Sequence, residues 1–269
     1  MINIRDNEFK ELCNFFKTNY GINLIQKKNL VEGRLANILI EKGFHSFRDY
    51  FDYVYSDHTK NELTILINKL TTNHTFFMRE PGHFQYLRNK VLPYLNFVVK
   101  DKDLRIWSAG CSSGEEAYTL AMILEEYFAE EKYLWDKKIL ATDISINALK
   151  KAEDGIYCCE ALEKVSEGWR FKFFKKNYSD KYEITDELKK EVIFRVFNLM
   201  DEFPFRKKFH VIFCRNVMIY FDKETKDRLT KKFYDMTERG GYLFVGLSES
   251  INREEIPYNY IMPSVYRKG

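Results

Sequence analysis

Residues 105–116 read Arg105-Ile-Trp-Ser-Ala-Gly-Cys-Ser-Ser-Gly-Glu-Glu116. The pattern predicts a short buried strand, a turn of small residues and the start of a long helix. The small residues at 110–114 leave the backbone of the turn bare, so a ligand can approach it closely. The N-terminus of the helix directs its unpaired N–H groups at the same place. Such a turn is typical of a site for part of a nucleotide-like cofactor.

The same turn also has a simpler interpretation. It departs from G-x-G-x-x-G, because Ala109 and Cys111 interrupt the pattern, and it lacks the Gly-Lys-Ser/Thr of a P-loop. Ser113-x-x-Glu116 has the spacing of a capping box, in which the two side chains pair with backbone N–H groups. A well-capped helix after an ordinary strand is therefore the alternative to a cofactor site.

Composition limits the classes of function. The chain has 269 residues, of which 45% are hydrophobic, and its formal net charge is +3. It is long enough for a large α/β domain with a smaller companion. The small net charge gives no electrostatic reason to expect nucleic-acid or membrane-surface binding. The five cysteines lack zinc-like spacing, so neither a metal site nor a disulfide framework is predicted. Without a signal peptide or a long apolar run, we expect a cytoplasmic monomer with no membrane insertion.

Residues 1–72 are predicted to form a helical domain, because their apolar residues recur at helical spacing. Gly21 is expected to end the first of these helices. The second helix carries several basic residues, among them Lys27, Lys28 and Arg34. A solvated helix face and a docking face for an acidic partner both explain them.

After a polar and aromatic linker at 73–88, the segment 89–269 alternates predicted strands with predicted helices. This alternation favours a doubly wound, mostly parallel sheet, whose ligands bind beyond the carboxyl ends of the strands. A β insertion at about 166–197 interrupts the alternation. Within it, Lys181–Thr185 and Glu191–Phe197 are predicted to form an antiparallel excursion.

Polar residues follow several of the predicted strands. Asp143 comes directly after one of them, where a carboxylate can accept both hydroxyls of a ribose. The alternative is a helix cap, formed by Asp143 or Ser145 at the start of the next helix. Asn198 and Asn216 also end predicted strands, where an amide can pair with the edge of an adenine. Asparagine also favours turns, which is the plainer explanation for each.

Five stretches of the chain form a specific set. They are Thr71-Thr-Asn-His-Thr-Phe-Phe-Met-Arg-Glu80, Trp107-Ser-Ala-Gly-Cys-Ser-Ser-Gly-Glu-Glu116, Ala141-Thr-Asp-Ile144, Gly155-Ile-Tyr157 and Phe213-Cys-Arg-Asn-Val-Met-Ile-Tyr-Phe-Asp222. Together they resemble the chemotaxis receptor methyltransferases, the CheR family, over nearly the whole chain. The resemblance implies a Rossmann-like methyltransferase domain with a small antiparallel β insertion, preceded by an all-helical domain that docks on receptors.

The resemblance also implies an activity and roles for single residues. The family uses S-adenosyl-L-methionine to methylate glutamate side chains of chemoreceptors (methyl-accepting chemotaxis proteins), and S-adenosyl-L-homocysteine is the product. Arg79 and Tyr220 would lie nearest the reacting methyl group, and Arg79 would hold either the incoming carboxylate or that of the cofactor. Glu115 would receive the ammonium group of the cofactor and Asp143 its ribose. The implied cofactor-binding set is Asn73, Thr75, Arg79, Gly110, Glu115, Asp143, Asn198, Leu199, Asn216 and Val217.

The implied partner is the cytoplasmic domain of a chemoreceptor, whose methylation helices are rich in glutamate. Lys27, Lys28 and Arg34 would then steer a weak encounter. Some family members also bind a receptor's C-terminal peptide as an added strand, through a longer loop that contains glycine. The loop Lys175-Lys-Asn-Tyr-Ser-Asp180 is short and has no glycine, so we expect independence from that tether.

Other classes of function compete with this interpretation. A nucleic-acid methyltransferase would share the fold, but those that act on base nitrogens usually carry Asn/Asp-Pro-Pro-Tyr where this chain has Arg215-Asn-Val-Met218. A non-catalytic module that senses S-adenosylmethionine, or a methyltransferase for a different signalling protein, would keep the cofactor site. Retention of Arg79, Asp143 and Tyr220 favours an active enzyme over a sensor.

Overall fold

Helices alone form the first part of the chain. The computed structural model describes residues 2–59, 61–71, 73–131, 133–177 and 180–269. Within them, the first helices are α1 (Asp6–Tyr20), α2 (Lys28–Glu41), α3 (Phe47–Ser56) and α4 (Asn61–Leu70). Gly21 ends α1 in the left-handed region, at φ 70°, which glycine adopts without strain. The predicted all-helical N-terminal domain is confirmed.

The buried faces of these helices share a core with one face of the β-sheet. Leu12, Phe16 and Leu35 are fully buried, and they belong to the same apolar cluster as Trp107 and Ile212 of the sheet. Burial of side chains of this size contributes about 1.5–3 kcal/mol each. The helical domain therefore packs directly against the sheet.

The segment after α4 starts as an irregular stretch and then becomes helical. Residues 73–80 form neither helix nor strand. The helix that follows consists of α5 (Pro81–Tyr86), a π-helical turn (Leu87–Val91) and α6 (Leu92–Val98). Proline suits the first position of a helix, because the N–H that it lacks would be unpaired there. This helix covers the second face of the sheet.

The remaining chain alternates strands and helices. The strands are β1 (Ile106–Ala109), β2 (Ile139–Asp143), β3 (Ile156–Tyr157), β4 (Phe174–Lys176), β5 (Tyr182–Ile184), β6 (Val192–Val196), β7 (Phe209–Cys214), β8 (Thr237–Val245), β9 (Tyr258–Met262) and β10 (Val265–Lys268). The helices are α7 (Glu115–Tyr127), α8 (Ile146–Asp154), α9 (Glu167–Phe173), α10 (Asp186–Lys189) and α11 (Lys223–Met236), with 3-10 turns at Cys159–Leu162 and Met218–Tyr220.

Seven strands make the main sheet, in the order β6-β2-β1-β7-β8-β10-β9. The pairs from β6 to β8 are parallel, and the hairpin of β9 and β10 adds an antiparallel edge. From β1 the chain moves outward to β2 and β6, and it then returns to place β7 on the other side of β1. The strand order thus reverses between β1 and β7, which is where sheets of this type bind their ligands. The predicted doubly wound fold is confirmed.

The predicted extent of the β insertion was wrong in one respect. Glu191–Phe197 does not belong to the antiparallel excursion, because β6 pairs in parallel with β2 along its whole length, from Ile139 opposite Val192 onwards. The small sheet consists of β3, β5 and β4 in that order, all antiparallel. Only alternate residues at the start of β6 are buried, since it is an edge strand. A strand of an antiparallel excursion also buries alternate residues. The pattern alone therefore did not distinguish a parallel edge strand of the main sheet from an antiparallel strand of the insertion.

Candidate active site

A cleft lies at the carboxyl ends of β1, β2 and β7, between the sheet and the helical domain. About 1060 Å³ of space free of protein atoms lies in and at the mouth of this cleft, which is open to solvent. Tyr20, Ile22 and Leu70 of the helical domain form part of its wall. Eleven residues are predicted to act in cofactor binding or catalysis, and ten of them line this cleft. These ten are Asn73, Thr75, Arg79, Gly110, Asp143, Asn198, Leu199, Asn216, Val217 and Tyr220.

The turn after β1 presents its backbone to the cleft. The N–H groups of Gly110 and Cys111 donate to the carbonyl of Thr142, at 2.7 and 2.9 Å, which fixes the turn against β2. Gly110 has φ 87°, and a Cβ atom there would overlap Cγ2 of Val217. Glycine is therefore required at 110 by both its backbone angle and its neighbour. The turn forms a cradle that a side chain would fill.

Asp143 ends β2 with its carboxylate at the cleft. The residue is 9% exposed, and its two oxygens accept the N–H groups of Ser112 and Ser145, each at 2.8 Å. Burial raises the pKa of Asp143 above its usual range, while these hydrogen bonds oppose the shift. Ser145 is the N-cap of α8, since its hydroxyl accepts the N–H of Ala148 at 3.2 Å. Asp143 thus supports the helix start and also lines the cleft.

Residues 73–79, which we call the cleft rim, pass over the opening. The side-chain amide of Asn73 donates to the Ser145 hydroxyl at 3.1 Å, and the backbone carbonyl of Asn73 accepts from the Ser112 hydroxyl at 3.0 Å. These bonds fasten the rim to the turns after β1 and β2. The Arg79 guanidinium donates to the carbonyl of His74 at 2.8 Å and lies 5.8 Å from the ring of Phe76.

Within the described part of the chain, the charge on Arg79 has no acidic partner. Among the described residues, no carboxylate lies within ion-pair distance of its guanidinium. The side chain is only partly buried, so it retains access to the cleft and to solvent. A cation in this state can accept a carboxylate from outside the chain.

Arg215 lies deeper, and two carboxylates pair with its charge. Its side chain is 1% exposed, and its guanidinium bonds to the carboxylates of Glu116 at 2.9 Å and Glu80 at 3.1 Å. It also donates to the backbone carbonyl of Arg79. Burial opposes ionisation of Glu80, but the charge and hydrogen bond of Arg215 and the hydrogen bonds from Asn216 and Leu247 together outweigh it, and the pKa of Glu80 is lowered. We call Glu80, Glu116 and Arg215 the cleft floor.

Sequence reasoning did not identify the cleft floor as a unit. Arg215 precedes Asn216 in the stretch 213–222, and Glu116 follows Glu115 after the turn. Nothing in the sequence indicates that Arg215 and Glu116 form an ion pair. The floor joins residues that are 99 and 135 positions apart. The one available signal was a buried-looking strand, β7, that ends directly in an arginine, which needs a carboxylate partner when buried.

Glu115 is the predicted residue that does not line the cleft. It is 6% exposed, and its carboxylate accepts the hydroxyl of Ser113 at 2.8 and 3.1 Å. Burial raises the pKa of Glu115. Glu116, one position later, faces the cleft instead. Consecutive residues of a helix point about 100° apart, so only one of two adjacent glutamates can face the same cleft directly.

The far wall of the cleft contains the two predicted asparagines. The Asn198 amide donates to the carbonyl of Asn19 at the end of α1, at 2.7 Å, and so joins the sheet to the helical domain. Asn216 has φ 59°, in the left-handed region that asparagine tolerates, and its amide donates to Glu80 at 3.3 Å. Tyr220 follows on the Met218–Tyr220 turn, with Nζ of Lys27 4.8 Å from the centre of its ring.

The three basic residues predicted to bind a partner do not form one free face. Nζ of Lys28 pairs with Asp6 at 2.6 Å. Arg34 donates to the carbonyls of Leu70 and Thr71, at 3.1 and 3.2 Å, and so caps the end of α4. Lys27 lies beside Tyr220 of the cleft wall.

These features define a class of protein. The cleft lies where the strand order of the parallel sheet reverses, and this position suits a nucleoside-containing cofactor. The bare turn after β1 and the buried carboxylate at the end of β2 suit the same kind of ligand. The glycine cradle at 110 and the partly satisfied Asp143 show that the described residues fit such a group. The fold and the cleft are those of a cofactor-dependent enzyme of the doubly wound class.

Comparison with known proteins gives the family. The family model described as "CheR methyltransferase, SAM binding domain" matches residues 73–266, and that described as "CheR methyltransferase, all-alpha domain" matches residues 7–71. A chemotaxis protein methyltransferase of Borreliella burgdorferi is 44% identical over 100% of this chain and 96% of its own length. A probable chemotaxis protein methyltransferase of Rhizobium etli is 37% identical, over 85% and 86%. Chemotaxis protein methyltransferase 2 of Vibrio cholerae is 33% identical, over 93% and 88%.

The chain therefore belongs to the CheR methyltransferase family, as its motifs predict. Its cofactor is S-adenosyl-L-methionine, and its function is methyl transfer in chemotaxis. Across the described residues, no helix is long and apolar enough to cross a membrane. The same residues contain no group of three or more His, Cys, Asp and Glu side chains arranged to hold a metal ion.

Proposed function

We propose that the chain is a protein-glutamate O-methyltransferase that acts on the cytoplasmic domains of chemoreceptors, as a monomer in the cytoplasm. The observation that carries the proposal is the difference between the two arginines of the cleft. The charge of Arg215 is neutralised by two carboxylates, whereas Arg79 has no acidic partner among the described residues. A cation held without a partner at a cofactor cleft suits a substrate that brings its own carboxylate.

The chemistry requires little acid–base help. S-adenosyl-L-methionine, when bound, supplies a methyl group on a positively charged sulfur; the bond from sulfur to methyl breaks as the bond from a carboxylate oxygen to methyl forms. A glutamate side chain has an unperturbed pKa of about 4.3, so it reaches the cleft already ionised at neutral pH. The chain therefore needs residues that position the carboxylate and exclude water, rather than a general base.

Arg79 is the residue proposed to receive that carboxylate. One of its donors is already used by the carbonyl of His74, which limits how tightly it can hold a second group. Loose binding is favourable here, because a strong bidentate pair would stabilise the ground state and slow the transfer. Tyr220, across the cleft, is proposed to contact the reacting groups from the other side.

The cofactor is proposed to lie along the cleft with its ribose at Asp143 and its adenine near Asn198, Leu199, Asn216 and Val217. Gly110 leaves the space for its backbone contact, and Asn73 and Thr75 cover it from the rim. Glu115 is proposed to accept the ammonium group after a change of rotamer. The carboxylate of Glu116 is already neutralised by Arg215, while that of Glu115 accepts from the hydroxyl of Ser113 and has no cation within ion-pair distance among the described residues.

The helical domain is proposed to receive the receptor. Lys27 lies beside Tyr220 at the cleft, where it can attract a glutamate-rich helix. Lys28 and Arg34 contribute less under this proposal, because both are bonded within the domain. Independence from a receptor C-terminal tether is also proposed; the loop on which it depends includes Tyr178 and Ser179, which lie outside the described residues.

The direct test is transfer of a radiolabelled methyl group from S-adenosylmethionine to purified chemoreceptor cytoplasmic fragments. We expect base-labile label on the receptor, as a glutamate methyl ester gives, and its loss in Arg79→Ala. The matched control is Arg206→Ala, at an exposed arginine away from the cleft. Cofactor binding by calorimetry without transfer to any fragment would contradict the proposal and favour a sensor or a different protein substrate.

A further inference from the structure

A buried carboxylate lies behind the cleft, and the proposed chemistry does not use it. Glu249 is 6% exposed and follows the end of β8. It does not line the cleft. Among the described residues it has no cationic partner. A buried ionisable side chain without a counter-ion is costly, so its hydrogen bonds must explain its presence.

Those hydrogen bonds all come from backbone N–H groups. One oxygen, Oε2, accepts from Asn216 at 2.9 Å and from Gly246 at 2.5 Å. The other, Oε1, accepts from Ile219 at 3.0 Å. Burial raises the pKa of Glu249, while these N–H groups favour the ionised form and oppose the shift. The carboxylate therefore connects β8 to two points of the segment that follows β7.

That segment, residues 215–220, carries four residues of the cleft wall: Arg215, Asn216, Val217 and Tyr220. Asn216, the first residue of this segment that Glu249 binds, has the left-handed angle φ 59°, which residues other than glycine adopt at a cost in free energy. Its second, Ile219, lies in the 3-10 turn that presents Tyr220. The backbone N–H groups of Asn216 and Ile219 have no hydrogen-bond partner other than Glu249 in the described structure.

We propose that Glu249 is a positioning residue that holds the 215–220 segment in the shape that binds the cofactor. The inference rests on the proposed function, since that function assigns Asn216 and Val217 to the adenosine end. One carboxylate fixes both ends of the segment, so it sets the distance between the adenine contacts and Tyr220. Gly246 has a part in this arrangement: a Cβ atom there would lie 2.8 Å from Oε2 of Glu249 and 2.6 Å from Nδ2 of Asn216.

The substitution Glu249→Gln keeps the shape of the side chain and removes one acceptor. Whichever way the new amide turns, its NH₂ group faces a backbone N–H that has lost its partner. A buried donor left in this state weakens the arrangement by an amount that corresponds to roughly 5- to 150-fold in an equilibrium constant. We expect the affinity for S-adenosylhomocysteine to fall by a factor in that range.

Three measurements on purified full-length protein test the proposal. Calorimetry gives the affinity for S-adenosylhomocysteine, amide hydrogen exchange reports on Asn216 and Ile219, and kinetics separate the KM of the cofactor from that of the receptor fragment. We expect weaker binding, faster exchange at both amides, a higher cofactor KM and an unchanged receptor KM. Glu255→Gln, at an exposed glutamate of the connection between β8 and β9 that also contains Glu249, should change none of them.

The outcomes separate this inference from the proposed function. If the substitution only reduces the fraction of correctly folded protein, the apparent kcat falls because fewer molecules are active. The cofactor KM of the folded molecules is then unchanged. If Glu249→Gln folds poorly, Glu249→Asp keeps the charge with a shorter reach and should give an intermediate affinity. Wild-type protein that fails to bind S-adenosylhomocysteine would contradict the proposed function, and amide exchange would still test Glu249. Wild-type affinity and exchange in Glu249→Gln would overturn the inference.

Discussion

The cleft floor and the cleft rim each contain an arginine, and the two are used differently. Arg215 of the floor is buried and paired with Glu80 and Glu116, whereas Arg79 of the rim is partly exposed and has no acidic partner in the described structure. A paired and buried charge fixes neighbouring elements in place, while an unpaired charge at an opening remains available for a ligand. The comparison indicates that residue type alone does not identify a functional charge; its partners do.

The largest effect is expected on the stability of the floor. Arg215→Met removes the cation and leaves the partly buried Glu80 and Glu116 without a counter-ion, which should lower the free energy of unfolding by about 3–5 kcal/mol. Urea unfolding followed by circular dichroism measures the change, with Arg206→Met as the control. A loss below about 1 kcal/mol would mean that the floor is better solvated than its burial indicates.

The rim should show the opposite pattern. Arg79→Ala removes an unpaired side chain, so the free energy of unfolding should change by no more than about 0.5 kcal/mol. Methyl transfer should fall by about 100- to 1000-fold, as when one charge-stabilising donor is removed from an active site. The two measurements are made on the same preparation, by urea unfolding and by radiolabel transfer.

The same variant separates the two roles proposed for Arg79. If Arg79 receives the receptor carboxylate, affinity for S-adenosylhomocysteine stays close to wild type while transfer is lost. A parallel loss of that affinity would instead assign Arg79 to the carboxylate of the cofactor. Equal losses of stability and activity would remove the distinction between rim and floor.

A smaller effect is expected from Gly110, on the cleft wall next to the floor. Gly110→Ala places a Cβ atom against Val217 at a residue with φ 87°. Overpacking of this kind costs about 1–3 kcal/mol, and the movement of Val217 should weaken S-adenosylhomocysteine binding. In contrast, Gly33→Ala in α2 meets nothing within 4 Å and should stabilise the helix by about 0.5–1 kcal/mol. Thermal unfolding and calorimetry test both variants.

The sequence predicted the strand ends of the cleft wall better than the floor. The alternation of predicted strands with predicted helices identified the parallel sheet, and the small-residue turn and Asp143 were recognisable because each is local to one strand end. The floor depends on Glu80, Glu116 and Arg215 meeting from three separate segments, and no local pattern contains that information. The side of α7 on which Glu115 lies could not be read from the motif for a related reason, because one residue of helix phase decides which glutamate faces the cleft. The role of Glu115 toward the cofactor stays a prediction.

The last expected effect is a pH dependence of stability at the edge of the floor. His83 is 1% exposed, and burial together with the charge of Arg215 lowers its pKa to about 4, although Glu80 opposes the shift. In the unfolded chain its pKa is near the ordinary value of about 6.5. Between these two values the unfolded state binds the extra proton, so the stability of the fold decreases as the pH falls from about 6.5 towards 4.

The contribution of His83 to this slope is at most about 1.4 kcal/mol per pH unit, and above pH 6.5 it vanishes because both states are neutral. His83→Gln removes the group, so its stability should depend less steeply on pH between 4 and 6.5 than that of the wild type. His45→Gln, at an exposed histidine of the helical domain, is the control and should leave the slope unchanged. Urea unfolding at half-unit pH intervals gives both slopes. Equal slopes for wild type and His83→Gln would show that His83 accepts a proton in the folded state, and the charge of Arg215 would then be fully compensated by Glu80 and Glu116.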